Sequence, residues 1–291
     1  MSNRILCGID DSPGARRAAS VASRLARDLD SRALLMHVVD DARTLRRLGL
    51  PRFGRSRKMR RRLKAMAEEH CFPKATEVLA EAGDPATTLI EMAEKEDAEL
   101  VVVAARRHGG AGAAMLGGVA SAVMRQSPCP VVVVPTAAIE PVDSDSIKDV
   151  VCGVKGDGSA RDVAVLRLAA DLAARLGGEL HAVHGYDPGT LPPQAAGPQH
   201  RLNDALRQSG LETKASVVPL DAAEALEHVA DQQRAGLVVV GSPEDIPRDS
   251  ALPGPVAIRL AAAGSTALVV LPAAAELMPS SGHYELVDGA A

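Results

Sequence analysis

Apolar residues in this chain fall into short unbroken runs, separated by longer segments in which they recur every three or four positions. The strand candidates built on these runs in the first half are Arg4–Ile9, Arg32–Val39, Ala75–Ala80, Leu100–Ala104 and Pro130–Val134. In the second half they are Asp149–Val154, Glu179–His184, Thr213–Val218, Leu237–Gly241 and Ala267–Leu271. Continuous apolar runs, in contrast to alternating ones, mark strands covered on both faces, as in a parallel sheet wrapped by helices. The periodic segments predict helices over Pro13–Leu29, Arg57–His70, Pro85–Glu96 and Ala114–Gln126, and a short one near Gln199–Ser209. Ser12-Pro13 predicts a helix start with a hydroxyl at the N-cap and proline at the first helical position, and Asp84-Pro85 repeats the device.

The pattern is written twice. A shift of 137 positions superposes Ala104 on Gly241, Gly117 on Gly254 and Pro135 on Pro272. Nearer the start of each half, Cys7-Gly8 and Cys152-Gly153 lie 145 apart, so the second half is shorter across its second helix. Self-similarity at this scale is a duplicated domain. The division expected is a first domain over 1–136, a linker rich in Pro, Asp and Ser over 137–148, a second domain over 149–272 and a tail over 273–291.

Composition narrows the function. At 291 residues each half is long enough to bury its own core. Aromatic residues are reduced to Phe53, Phe72, Tyr186 and Tyr284, so base stacking on aromatic platforms has almost no material. The net charge of −4 draws the whole molecule neither to nucleic acid nor to anionic membrane. Cys7, Cys71, Cys129 and Cys152 lack paired metal spacing, which favours a reducing compartment. With neither a leader pattern at Met1-Ser2-Asn3-Arg4 nor an apolar stretch of spanning length, the expectation is a cytoplasmic protein.

Four segments carry a resemblance. Ile-Asp-Asp-Ser-Pro at 9–13, His37-Val-Val-Asp, Ala82-Gly83-Asp84-Pro85 and Ser127-Pro-Cys-Pro-Val, in this order and spacing, resemble the universal stress protein family in its tandem two-domain form. The resemblance implies an α/β fold of two flavodoxin-like, doubly wound parallel five-stranded sheets. Many members bind ATP at the carboxyl ends of the first and fourth strands, where reversal of strand order opens a crevice. The family's phosphate motif is Gly, two residues, Gly, nine residues, Gly, then Ser or Thr. Here its four positions read Ala104, Arg107, Gly117 and Gly118 in the first half, and Gly241, Glu244, Gly254 and Pro255 in the second. Glycine matters there because backbone N–H groups can then approach phosphate oxygens; the final hydroxyl is lost in both halves.

By the same resemblance, Gly8, Val39, Val103 and Val119 fall on positions that line the nucleotide. Asp10 falls on the acidic position after the first strand, where it would hold magnesium through a water; its other reading is a turn or capping carboxylate. Arg107 either replaces a lost backbone contact with a charge-assisted one or fills the pocket. Gly109, Gly110 and Gly112 are either part of a phosphate loop or a flexible connection. In the second half Lys155 stands in the acidic position, and Glu244 and Pro255 oppose phosphate. Lys155 either grips an anion directly or pairs with Glu244 or Asp157 in a dead site, which is the reading adopted; no cofactor is expected there.

One segment stands apart electrically. From Arg43 to Lys64 there are eleven Lys or Arg and no Asp or Glu, leaving the remainder distinctly acidic. Arg57, Lys58, Arg60, Arg61 and Arg62 form an anion patch for nucleic acid such as RNA, for polyphosphate or for an acidic partner, or else a solvated face pairing with acids such as Glu68 and Glu69; the second reading is adopted. Catalytic constellations are missing: there is no His-Glu-x-x-His pair, no Gly-x-Ser-x-Gly turn and no Walker lysine. Three functions follow: a stress-response regulator binding ATP or another adenylate in the first half, a nucleotide-free scaffold with two degenerate sites and a basic docking segment, and a weak nucleotide hydrolase. The last is disfavoured. The apolar runs Val131–Val134 and Leu268–Leu271 are expected to pair edge to edge within the chain as an internal pseudo-dimer, and a homodimer is also allowed.

Overall fold

The computed structural model describes residues 4–40, 53–73, 76–105, 107–108, 115–135, 147–157, 159–189, 197–243 and 253–275. The first half runs β1 (Arg4–Gly8), α1 (Gly14–Asp28), β2 (Arg32–Asp40), α2 (Phe53–Glu69), β3 (Glu77–Gly83), α3 (Pro85–Lys95) and β4 (Leu100–Ala104). A two-residue ladder of β5 (Arg107–His108) and β6 (Met115–Leu116) follows, then α4 (Gly118–Gln126) and β7 (Val131–Val134). The second half runs β8 (Val150–Gly153), α5 (Ala160–Leu176), β9 (Leu180–Gly185), α6 (Pro198–Ser209) and β10 (Lys214–Val218). It closes with α7 (Ala222–Gln233), β11 (Leu237–Gly241), α8 (Pro255–Ala263) and β12 (Ala267–Leu271).

Each half is a five-stranded parallel sheet, and the two merge into one ten-stranded sheet of order β10-β9-β8-β11-β12-β7-β4-β1-β2-β3. Successive strand residues face opposite sides. Cys7, Val102 and Val132 pack with α1, α2, α5 and α6 on one face. Leu6, Val101 and Val131 pack with α3, α4, α7 and α8 on the other. This double covering is why the strands read as unbroken apolar runs. The halves meet where β7 and β12 pair antiparallel, Val131 against Val270 and Val133 against Leu268, so the edge pairing expected from the sequence is present. Both strands are buried, so two apolar edges are removed from water at once. Arg175 of α5 reinforces the joint, pairing with Glu99 ahead of β4 and donating to the Leu29 carbonyl at 3.2 Å.

Several boundaries differ from expectation. α4 starts at Gly118, not Ala114, because Met115–Leu116 is drawn into the ladder with Arg107–His108. α2 starts at Phe53 and takes in Gly54, which sits in the first turn, away from the interior where glycine costs most. β3 begins at Glu77 and runs on to Gly83, held by β2 up to the Asp40–Gly83 pair. Asp84 caps α3 as expected, accepting the Thr87 N–H at 2.9 Å. Ser12 does not cap α1: Pro13 occupies the N-cap position, with no side-chain bond to the helix.

Candidate functional site

Strand order reverses at β1, with β2 on one side and β4 on the other, and in open α/β sheets the carboxyl ends of strands at such a switch point are where ligands bind. Asp10 lies in the turn leaving β1. Its Oδ1 accepts the Ser12 N–H at 2.8 Å and also the Ser12 hydroxyl. That explains the missing cap: Ser12 donates back to Asp10 instead of accepting from α1, so Asp10 is at least a turn carboxylate. Between this turn and α2 is a cavity of about 300 Å³ lined by Asp10, Asp11, Ser12, Arg16, Arg62 and Met66. Arg62 reaches across its mouth to pair with Asp11.

The expected nucleotide residues divide into two groups. Asp10, half-buried Ala104, Gly117 at the N-cap of α4, and exposed Gly118 and Val119 all stand at this carboxyl edge. Gly117 is extended (φ −60°, ψ 143°) and supplies no side-chain cap, so the first N–H groups of α4 are not claimed by it. A Cβ on Gly118 would meet nothing within 4 Å among the described residues. Gly8 and Val103 also touch the core: a Cβ on Gly8 would lie 3.0 Å from Leu89 Cδ1, and Val103 is buried with Leu89 in the α3–α4 core. Val39 is half-buried near the end of β2. The backbone of Arg107 lies in β5, while its side chain and Gly109, Gly110 and Gly112 lie outside the described residues.

The second half fills the same place with its own side chains. Asp162, in the first turn of α5 and 5 % exposed, accepts three successive backbone N–H groups: Lys155 at 3.0 Å, Gly156 at 2.7 Å and Asp157 at 3.3 Å. Such a run of N–H groups is an anion-binding nest, here closed by a carboxylate from the chain itself. Burial raises the Asp162 carboxyl above its ordinary value, with the N–H bonds opposing. Lys155 pairs with Asp157 at 2.9 Å. Arg161 donates to the Pro272 carbonyl at 3.1 Å and packs against Gly241, where a Cβ would sit 3.1 Å from its Cγ. A Cβ on Gly254 would come within 2.6 Å of Pro243, and Pro255 opens α8 without an N–H. Glu244 lies outside the described residues.

Asp162 and Arg161 were not anticipated, although the repeat carries a signal. At the 145-position shift Asp10 matches Lys155 while Arg17 matches Asp162, so acid and base have exchanged places. Other parts are shared. His37 Nδ1 donates to the Ile9 carbonyl at 2.8 Å and His184 Nδ1 to Val154 at 2.9 Å, tying each first turn to the neighbouring strand. A carbonyl can only accept, so Nδ1 carries the proton in both rings.

On α2, Met59, Leu63 and Met66 face the core, while Arg57, Lys58, Arg60, Arg61, Arg62 and Lys64 are exposed. Among the described residues the acid that α2 meets is Asp11, through Arg62, rather than Glu68 or Glu69. Among the described residues no group of three or more His, Cys, Asp or Glu is placed to hold a metal, and no helix is long and apolar enough to cross a membrane.

The fold defines a class: two doubly wound α/β units joined side by side in one sheet. The family model described as the universal stress protein family matches residues 1–135 and again 146–272. The chain therefore belongs to the universal stress protein family, in tandem two-domain form. A universal stress protein of Thermus aquaticus is 32 % identical over 139 residues, covering 46 % of this chain and 99 % of that protein. One from Methanocaldococcus jannaschii is 31 % identical over 142 residues, covering 45 % and 81 %. Among solved structures, a universal stress protein from Archaeoglobus fulgidus shares the fold over 94 % of this chain and 99 % of its own, with a TM-score of 0.63 at 17 % identity.

Proposed function

We propose that the first half binds an adenine nucleotide at the β1–β4 crevice and that the second half is a closed structural copy, the whole acting as a ligand-responsive regulator and not as an enzyme. One observation carries this reading. The N-terminus of α4 is open at Gly118, beside the carboxyl ends of β1 and β4, whereas its twin is shut by Pro243 and Pro255. A helix N-terminus with uncommitted N–H groups favours phosphate through both hydrogen bonding and the helix dipole. The motif hydroxyl is missing, so Arg16 or Arg62, which line the neighbouring cavity, would supply charge in its place.

Asp10 and Asp11 are the carboxylates beside this cavity, but Asp11 is tied to Arg62 and Asp10 to Ser12. This set suits a magnesium ion brought in on phosphates and held through water by Asp10, with no protein cage of its own. The ion would neutralise phosphate charge; Asp10 would orient its water shell. The scaffold reading draws on Gly8, whose open side is taken by Leu89.

Thermal melting with ATP, ADP and AMP, with and without magnesium, decides between the two readings. A ligand that binds only the native state raises the melting temperature, and Gly118→Pro should cancel the rise by copying the second half. No rise with any adenylate at millimolar concentration retires nucleotide binding and leaves the scaffold.

A further inference from the structure

We propose that the exposed face of α2 is a docking surface for the phosphate backbone of a nucleic-acid duplex, read without regard to sequence. The inference is independent of the nucleotide crevice. Arg57, Arg60, Arg61 and Lys64 recur at helical spacing, so they share the arc opposite Met59, Leu63 and Met66, which fasten the helix to the core; Lys58 flanks them. All five are exposed, and none makes an ion pair among the described residues.

Three features set this array apart from an ordinary solvated face. The charge runs against the helix dipole, with cations over the earlier turns, Glu68 and Glu69 at the end, no acid in the first turn and no base in the last. Like charges also repeat at three and four residues, as in Arg57–Arg60, Arg57–Arg61 and Arg60–Lys64, an arrangement that repels. The third feature is an internal control. α6 holds the same place in the second half, between β9 and β10, yet its Asp204 pairs with both Arg207 (2.9 Å) and His200 (3.0 Å). The fold therefore does not require an unneutralised helix at this position, and a polyanion bound to α2 would relieve the repulsion.

The form of that polyanion follows from what surrounds the cations. Met59, Leu63 and Met66 of α2 are spent on the protein's own core, so none of these large apolar side chains is left to insert into lipid. The scarcity of aromatic side chains removes the stacking platforms that single strands use. A duplex offers a rigid, regular array of phosphates, about one charge per 1.7 Å of its axis, and guanidinium groups match phosphate geometry.

The test is binding of the full chain to a fluorescently labelled DNA duplex, followed by anisotropy across a salt series. Binding at low salt is expected to fall steeply as salt rises. Joint replacement Arg57→Gln, Arg60→Gln, Arg61→Gln and Lys64→Gln should reduce the magnitude of the log–log salt slope by about four, with an unchanged or higher melting temperature. Arg57→Lys with Arg60→Lys and Arg61→Lys should retain binding, as should Arg207→Gln on α6. An unaltered slope in the glutamine variant overturns the proposal, as does absence of binding at low salt. Displacement of the duplex by polyglutamate at equal charge also overturns it, in favour of an acidic protein partner.

Discussion

The turn after β1 and the turn after β8 leave equivalent strands of one continuous sheet, yet they end in opposite states. In the first, Asp10 folds back onto Ser12 and a cavity remains between the turn and α2. In the second, Asp162 takes up the N–H groups of Lys155, Gly156 and Asp157, and Arg161 lies over Gly241. The positions that carry the fold have not diverged in this way. Leu89 fills the side of Gly8 and Leu226 that of Gly153; Asp84 caps α3 and Asp221 caps α7. After duplication, the packing at these glycines and the caps of α3 and α7 were kept in both copies, while the charges at the crevice were free to change places. A residue's twin thus serves as an internal control on whether it belongs to the fold or to a site.

The joint between the halves offers the largest test. Val269 pairs with Val132 across the antiparallel seam, and both are fully buried. Val269→Asp would place an unpaired carboxylate in that seam and should cost about 3–5 kcal/mol, a large fraction of the stability of an ordinary domain. Urea unfolding followed by circular dichroism measures it. A loss below about 1 kcal/mol would mean that the seam opens without disturbing either half, and the two would then be independent domains.

Next in size is the nest. Asp162→Asn keeps one oxygen but turns an NH₂ group toward N–H donors, which leaves one or two of them without an acceptor. A loss of about 1–3 kcal/mol is expected. The pH dependence has a definite sign. Burial raises the Asp162 carboxyl in the folded state, so wild type gains stability relative to Asp162→Asn as pH falls through that raised value toward the ordinary carboxylate range, and gives it up as pH rises. A gap between the two proteins that does not vary from acid to neutral pH would remove burial as the dominant influence on this carboxylate.

The strands were legible because sheets covered on both faces leave unbroken apolar runs; Leu100–Ala104, Leu237–Gly241 and Ala267–Leu271 stand where the sequence put them. The β5–β6 ladder was not, since two residues on either side of a glycine-rich stretch carry no periodicity. Ser12 misled because its hydroxyl had two rivals, the helix start ahead and the Asp10 carboxylate behind, and local sequence does not rank them. At the crevice, the spacing of motif positions located the edge but not its contents. Asp162 reads as a first-turn helix acid, and its partners are set by where the β8 turn lies in space. Only the exchange of Asp10 and Arg17 for Lys155 and Asp162 hinted at it.

The smallest expected effect falls on what the halves share. Asp84 accepts the Thr87 N–H at 2.9 Å, and Asp221 accepts those of Ala223 at 3.0 Å and Glu224 at 3.3 Å. Replacement of either by Ala should cost about 1 kcal/mol, the usual loss of an N-cap acceptor. Asp221 also bonds Arg259 at 2.7 Å, an exposed pair that adds a few tenths at most. Both carboxyls lie below the ordinary Asp value, Asp84 through the Thr87 backbone bond and Asp221 through the Arg259 side chain. A lowered carboxyl contributes its stability above the unfolded-state value and loses it as pH falls through the folded one, the reverse of Asp162. Matched penalties for Asp84→Ala and Asp221→Ala in thermal melts, both shrinking at acid pH, would place these caps with the fold; unequal penalties would show that divergence reached these two helix starts as well as the crevices.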